Sequence, residues 1–171
     1  MINPIKFIDF LNSHRINYFY GVPDSLLKPL CNKLLDMSPS YHQVSTNEAM
    51  AVSSAIGSYL ATGNMACVYM QNSGLGNAIN PLVSLASKEV YGIPMLLLIG
   101  WRGELLEENQ QIKDEPQHSH QGKITLNQLK ILKIPFIVLS RESTDWKNKV
   151  ISILEEAKNK GTQVINSAKV V

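Results

Sequence analysis

At 171 residues the chain fits one domain with a sizeable core, and its apolar and charged fractions of 44% and 18% are those of a folded globular protein. A net charge of +2 gives no whole-chain case for nucleic acid, and no apolar run is long enough for a membrane span. The charge is uneven, with seven Lys/Arg against ten Asp/Glu through Gly122 and nine against four afterwards, but a solvated helical face accounts for the later lysines.

Asn3-Pro4 starts a first helix whose apolar face carries Ile5, Ile8 and Leu11 or Asn12 and which stops near His14. Tyr18–Tyr20 is a short strand running into Gly21-Val22-Pro23-Asp24-Ser25. Asp24 or Ser25 caps the next helix, and Pro29 belongs in its first turn, which argues for a later start. Tyr41–Ser45 is the second strand. It passes almost directly into a helix over Asn47–Ala61, with Glu48 in the first turn and Gly63 as the stop. Ala49, Ala51, Ala55 and Gly57 keep this helix slim, so another element can lie close against it. Met65–Met70 is the third strand and ends in Gln71-Asn72-Ser73-Gly74. Leu75–Ser87 reads as a helix kinked at Pro81, and Pro94–Ile99 as a central strand covered on both faces.

Trp101–Gly122 lacks a sustained apolar period and is rich in Glu, Gln and His, including Glu107 and Glu108. The expectation is a long loop with one helical turn, a length that in a compact domain points to function or disorder. Helix resumes over Thr125–Leu132, followed by a strand at Pro135–Leu139, a helix at Thr144–Lys158 and a last strand at Thr162–Ile165. The alternation predicts an α/β domain: a doubly wound, three-layer αβα fold over 1–171 with a mostly parallel six-stranded sheet. No helix follows the final strand, so the chain is either a small complete subunit or stops where a second domain would begin. No basic-then-apolar leader opens it. Cys31 and Cys67 lack metal-site spacing and read as small buried thiols in a reducing compartment, the cytoplasm.

In a parallel sheet the loops after the strands gather on one edge, where such folds collect ligands. Four polar clusters should therefore converge: Pro23-Asp24-Ser25, Glu48, Gln71-Asn72-Ser73-Gly74, and Gln117-His118-Ser119-His120-Gln121. Together they predict a ligand site with a carboxylate, imidazoles, amides and hydroxyls. Gly74-Leu75-Gly76-Asn77-Ala78-Ile79 begins like a dinucleotide motif but carries Ile79 where its third glycine belongs. There is no Walker lysine motif, and Ser73 does not sit in a nucleophile elbow. His14 and His42 read as solvated or structural. His118 and His120 would share a face of an extended segment, with no third metal ligand evident. Arg102 and Lys123 read as surface charges before any role with an anionic substrate.

Several of these stretches carry a resemblance. Gly21-Val22-Pro23-Asp24-Ser25, Asn47-Glu48-Ala49-Met50-Ala51, Gln71-Asn72-Ser73-Gly74-Leu75-Gly76-Asn77, Gly92-Ile93-Pro94 with Gly100-Trp101-Arg102-Gly103, and Asp114-Glu115-Pro116-Gln117-His118 with Gln121-Gly122 occur in order. The sequence resembles the pyrimidine-binding half of thiamine-diphosphate-dependent decarboxylases, the phosphonopyruvate group first and the sulfopyruvate group, whose enzymes have two chains, next. The resemblance implies thiamine diphosphate as cofactor, with Glu48 on the aminopyrimidine ring and Pro23, Asn72 and Gly74 around it. It implies His118 as a second catalytic residue, with Ser25, Asn72, Gln117, His118 and Gln121 toward the substrate. No family position matches His120. The implied reaction is decarboxylation of phosphonopyruvate to phosphonoacetaldehyde and CO2, or of sulfopyruvate in the alternative.

Such enzymes hold the diphosphate and its Mg2+ through a Gly-Asp-Gly signature, which this sequence lacks. The expectation is therefore a subunit or fragment that is inactive alone and binds no metal itself. A diphosphate-binding partner in a homo- or hetero-oligomer would complete the site. Exposed apolar surface around the Glu48 helix and the Leu75–Ser87 helix would mark that contact. Two readings from other classes stand beside this one: a non-catalytic dimerisation module of the same fold, and a stand-alone nucleotide binder.

Overall fold

The continuous apolar run before Gly100 becomes the middle of the sheet. The computed structural model describes residues 2–105, 110–140, 143–160 and 163–167, and side chains as far as residue 157. Glu107, Glu108 and Thr162 lie outside the described residues. Strand β4 (Met95–Gly100) is buried along its whole length. It pairs with β3 (Ala66–Gln71) on one side and β6 (Gln163–Ser167) on the other. β1 (Tyr18–Gly21) lies beyond β3, and β2 (His42–Val44) is one edge. β5 (Phe136–Leu139) is the other edge, so the order is β2-β1-β3-β4-β6-β5 with every pairing parallel.

Alternate residues of the strands feed two cores, as the two-residue period of a strand requires. Phe19, Cys67, Tyr69, Leu96, Leu98 and Leu139 face α1 (Pro4–Ser13), α2 (Lys28–Leu35) and α6 (Trp146–Lys160). Val68, Met70, Leu97 and Ile99 face α3 (Glu48–Thr62) and α4 (Leu75–Pro81), with α5 (Pro116–Ile131) adding Leu129. The result is an α/β fold, a parallel sheet with helices on both faces. Cys31 and Cys67 are free and buried. Among the described residues no helix is long and apolar enough to cross a membrane.

Local chemistry sets the helix ends. Asn3 Oδ1 accepts the amide of Lys6 at 3.1 Å, and Pro4 opens α1. Asn47 Oδ1 accepts the amide of Met50 at 2.9 Å, leaving Glu48 as the first residue of α3. α4 stops at Pro81, and a wider π-type turn over Leu82–Ala86 replaces the rest of the expected kinked helix.

The stretch from Trp101 to Gly122 departs from expectation. Its second part is not loop: α5 begins at Pro116, nine residues before the expected helix start at Thr125. Glu115 is extended (φ −57°, ψ 148°), the conformation a following proline favours, and Pro116 then starts the helix. The helix has no apolar period here because it packs by close backbone approach. Gly122 lies against the carbonyl of Gly103, where any side chain would collide, and the next buried residue is Thr125. Consequently His118 and His120 do not share a face. Two residues apart on a helix they diverge by about 200°, and only His118 is partly buried while His120 is exposed.

Candidate functional site

The site sits where β1, β3 and β4 end. After β1 the chain turns through Pro23-Asp24-Ser25. Asp24 caps the following turn, Oδ2 accepting the amides of Leu26 at 3.0 Å and Leu27 at 3.2 Å. Its other oxygen, Oδ1, is buried with no hydrogen-bond partner among the described residues. Burial pushes the Asp24 carboxyl pKa up, opposed by the backbone amides and the positive charge of Arg102.

After β3 the turn Asn72–Gly74 connects two halves of the site. On one side, Gly74 lies directly against the Glu48 carboxylate at the start of α3, so that a Cβ at residue 74 would overlap it. Glu48 is half-buried and its Oε2 accepts Asn77 Nδ2 at 2.8 Å. On the other side, Asn72 clamps the peptide of Arg102. Asn72 Oδ1 accepts the amide of Arg102 at 3.1 Å, and Nδ2 donates to its carbonyl at 3.1 Å and to Thr125 Oγ1 at 2.9 Å. Asn72 has no exposed surface. Expected as a ligand contact, it is instead consumed in holding β4's end and α5 against β3's end.

After β4, Arg102 is not a bare surface charge. Its guanidinium forms a bidentate pair with Asp114, Nε–Oδ2 at 2.7 Å and Nη2–Oδ1 at 2.6 Å, and Nη1 donates to Ser25 Oγ at 3.0 Å. Asp114 also accepts the amides of Gly103 and Glu115. The Arg102 guanidinium holds the Asp114 carboxyl well below the usual carboxylate range. His118 Nδ1 completes the cluster, 3.0 Å from Asp114 Oδ1. A cavity of about 200 Å3 opens beside it, lined by Leu26, Trp101, Arg102, Ile112 and Asp114 among others.

The four strand-end clusters are thus tied into one network: Glu48 to Gly74, Asn72 to Arg102, Arg102 to Ser25 and Asp114, Asp114 to His118. Of the remaining expected residues, Pro23 and Gln117 are exposed and Gln121 is half-buried. His42 is structural: its Nε2 lies 2.8 Å from the Tyr69 hydroxyl, and burial lowers its pKa and raises that of Tyr69. Sequence reasoning gave no individual role to Asp114, and to Asp24 a capping role within one of the strand-end clusters. Arg102 and Asp114 lie 12 residues apart between β4 and α5, so neither residue's spacing reveals the other. Among the described residues no group of three His, Cys, Asp or Glu side chains is placed to hold a metal ion.

A family profile described as "Thiamine pyrophosphate enzyme, N-terminal TPP binding domain" matches residues 6–131. A phosphonopyruvate decarboxylase of Streptomyces viridochromogenes is 37% identical over 125 residues, 73% of this chain and 30% of that protein. A sulfopyruvate decarboxylase subunit alpha of Methanococcus maripaludis is 34% identical over 142 residues, 82% of this chain and 78% of that subunit. The matched region is thus less than a third of the Streptomyces relative's length. Among solved structures, benzoylformate decarboxylase from Polynucleobacter necessarius superposes with a TM-score of 0.65 at 15% identity, covering 99% of this chain and 30% of that one. At that identity the superposition speaks for the fold alone. On the strength of the profile match and the 34% identical subunit, the chain belongs to the family of N-terminal TPP-binding domains of thiamine pyrophosphate enzymes.

Proposed function

We propose that this chain is one pyrimidine-binding domain of a thiamine-diphosphate-dependent 2-oxo acid decarboxylase that converts phosphonopyruvate to phosphonoacetaldehyde and CO2. The observation that carries the proposal is the Glu48 carboxylate, seated on side-chain-free Gly74 at the carboxyl edge of the sheet. One of its oxygens is held by Asn77, and Oε1 makes no hydrogen bond among the described residues. A half-buried carboxylate with one oxygen fixed and one available suits the aminopyrimidine end of the cofactor.

Bound thiamine diphosphate supplies the electron sink for loss of CO2. Glu48 holds its proton or accepts one at Oε1, and Asn77 fixes the carboxylate plane. Gly74 keeps the approach to that oxygen open, and Pro23 borders the same strand-end edge. Ser25 and the Arg102–Asp114 pair, with Gln117, His118 and Gln121, form the polar side toward a small acidic substrate. Asn72 serves by position, locking the β3 and β4 ends together.

The diphosphate and Mg2+ belong to a partner chain or domain carrying the Gly-Asp-Gly signature absent here. Met50 and Leu60 on α3, Ile79 on α4 and Val83 after it expose apolar surface, and α3 and α4 pack together. That face is where the partner would dock. A sulfopyruvate substrate is the second reading, favoured by the match across 78% of a separate alpha subunit.

The test is co-expression with a diphosphate-binding partner and assay of phosphonopyruvate and sulfopyruvate side by side. Turnover in the complex, none by this chain alone, and loss of turnover in Glu48→Gln with an unchanged melting temperature are the expected results. Full activity of Glu48→Gln would remove the cofactor reading.

A further inference from the structure

The decarboxylase reading gives His118 a role but does not say how its ring is held; the following rests on that reading and adds a residue to it. Asp114 Oδ1 is 3.0 Å from His118 Nδ1, and both side chains are mostly buried, 13% and 17% exposed. The same carboxylate accepts two guanidinium N–H groups of Arg102 and the amides of Gly103 and Glu115. Paired in this way it is ionised, and an ionised carboxylate only accepts hydrogen bonds. The ring nitrogen facing it must therefore carry the hydrogen. Nε2 then bears the lone pair of the neutral ring, and it has no hydrogen-bond partner among the described residues.

The backbone beneath the ring is equally fixed. Gln111 Nε2 donates to the carbonyls of Gly103 at 2.8 Å and Ser119 at 2.6 Å. Ser119 donates its amide to the Glu115 carbonyl and its hydroxyl to the Asp114 carbonyl. Among the described residues, Asp114 faces the ring directly and pairs with Arg102, on which Glu115 and, from the turn after β1, Asp24 also act.

We propose that Asp114 is a positioning residue that fixes His118 as the Nδ1–H tautomer, so that Nε2 is the atom that exchanges a proton with the substrate. This is the logic by which a carboxylate sets which nitrogen of a histidine is reactive.

Nitrogen-15 NMR of labelled histidine in this chain, at about pH 8 where an ordinary imidazole is neutral, reads the tautomer directly. The expected result is the Nδ1–H form for His118, reverting in Asp114→Ala to the mixture shown by exposed histidines. Where the alanine variant does not fold, the tautomer of the unaltered chain decides alone. An Nε2–H ring in the unaltered chain, or a tautomer unchanged by Asp114→Ala, overturns the proposal.

In the complex with its partner, Asp114→Ala should lower kcat for phosphonopyruvate by about tenfold or more, and by at least about threefold less when His118 is already alanine, the remainder being the loss of Arg102's partner. Equal losses in both backgrounds would show a merely structural role and also overturn it. If no complex turns over either substrate, the decarboxylase reading fails, while the NMR result still decides the tautomer.

Discussion

The Glu48 carboxylate occupies the space in which residue 74 would place a side chain, so Gly74 and Glu48 are one unit. Gly74→Ala should displace Glu48 without unfolding the sheet, because the turn has ordinary dihedrals and only the side-chain contact is new. A displacement of this kind costs about a hundredfold in turnover when it moves a catalytic group by roughly an ångström. Steady-state assay of the complex, with the melting temperature as control, checks this; undiminished kcat would mean that Glu48 has room to spare.

Asn72→Ala should be chiefly a stability defect. It takes their side-chain partner from the part-buried amide and carbonyl of Arg102 and one of two partners from the hydroxyl of Thr125, which keeps the Gln121 carbonyl. Orphaned buried groups cost about 1–3 kcal/mol each, so a loss of at least about 2 kcal/mol in urea unfolding is expected. A variant as stable as the unaltered chain would contradict the clamp.

Asp24 and Asp114 should shift stability in opposite directions with pH. The raised pKa of Asp24 makes its ionisation in the folded state unfavourable, so its contribution is present below the ordinary carboxylate value of 3.8 and is lost as pH rises through its folded pKa. Asp24→Asn keeps the capping oxygen and removes the charge. It should raise the melting temperature at neutral pH by about 2–4 °C, and less in acid. An equal shift at both pH values would show that charge burial is not the cause.

The depressed pKa of Asp114 works the other way: its contribution is present above 3.8 and is lost as pH falls below that value toward its folded pKa. Asp114→Asn should therefore be less stable than the unaltered chain at neutral pH, with the difference shrinking as acid is added. Urea midpoints compared across that range measure it, and a gap that stays constant with pH would remove the ion pair from the account.

Val83, half exposed beside α4, tests the proposed partner face. Val83→Asp should abolish co-purification of the diphosphate-binding partner and leave this chain's own melting temperature within about 1 °C, as a surface change does. Retained co-purification would place the interface elsewhere.

The alternation of apolar runs and turn residues was enough to specify strands, helices and their sequence order, because burial in a parallel sheet writes itself into side-chain type. It also placed Glu48 at a helix start and gathered the strand-end clusters, since parallel strands leave no other edge for them. Three things needed the tertiary structure. The insertion of β6 between β4 and β5 is a choice among pairings that no local pattern encodes. The early start of α5 was hidden because Gly122 packs through absence of a side chain, which leaves no hydrophobic period. The roles of Asn72, Arg102 and Asp114 were decided by partners across turns and elements, 30 residues away for Asn72 and Arg102 and 12 for Arg102 and Asp114. A polar side chain's type states what it can bond to, but only the fold states what stands within reach.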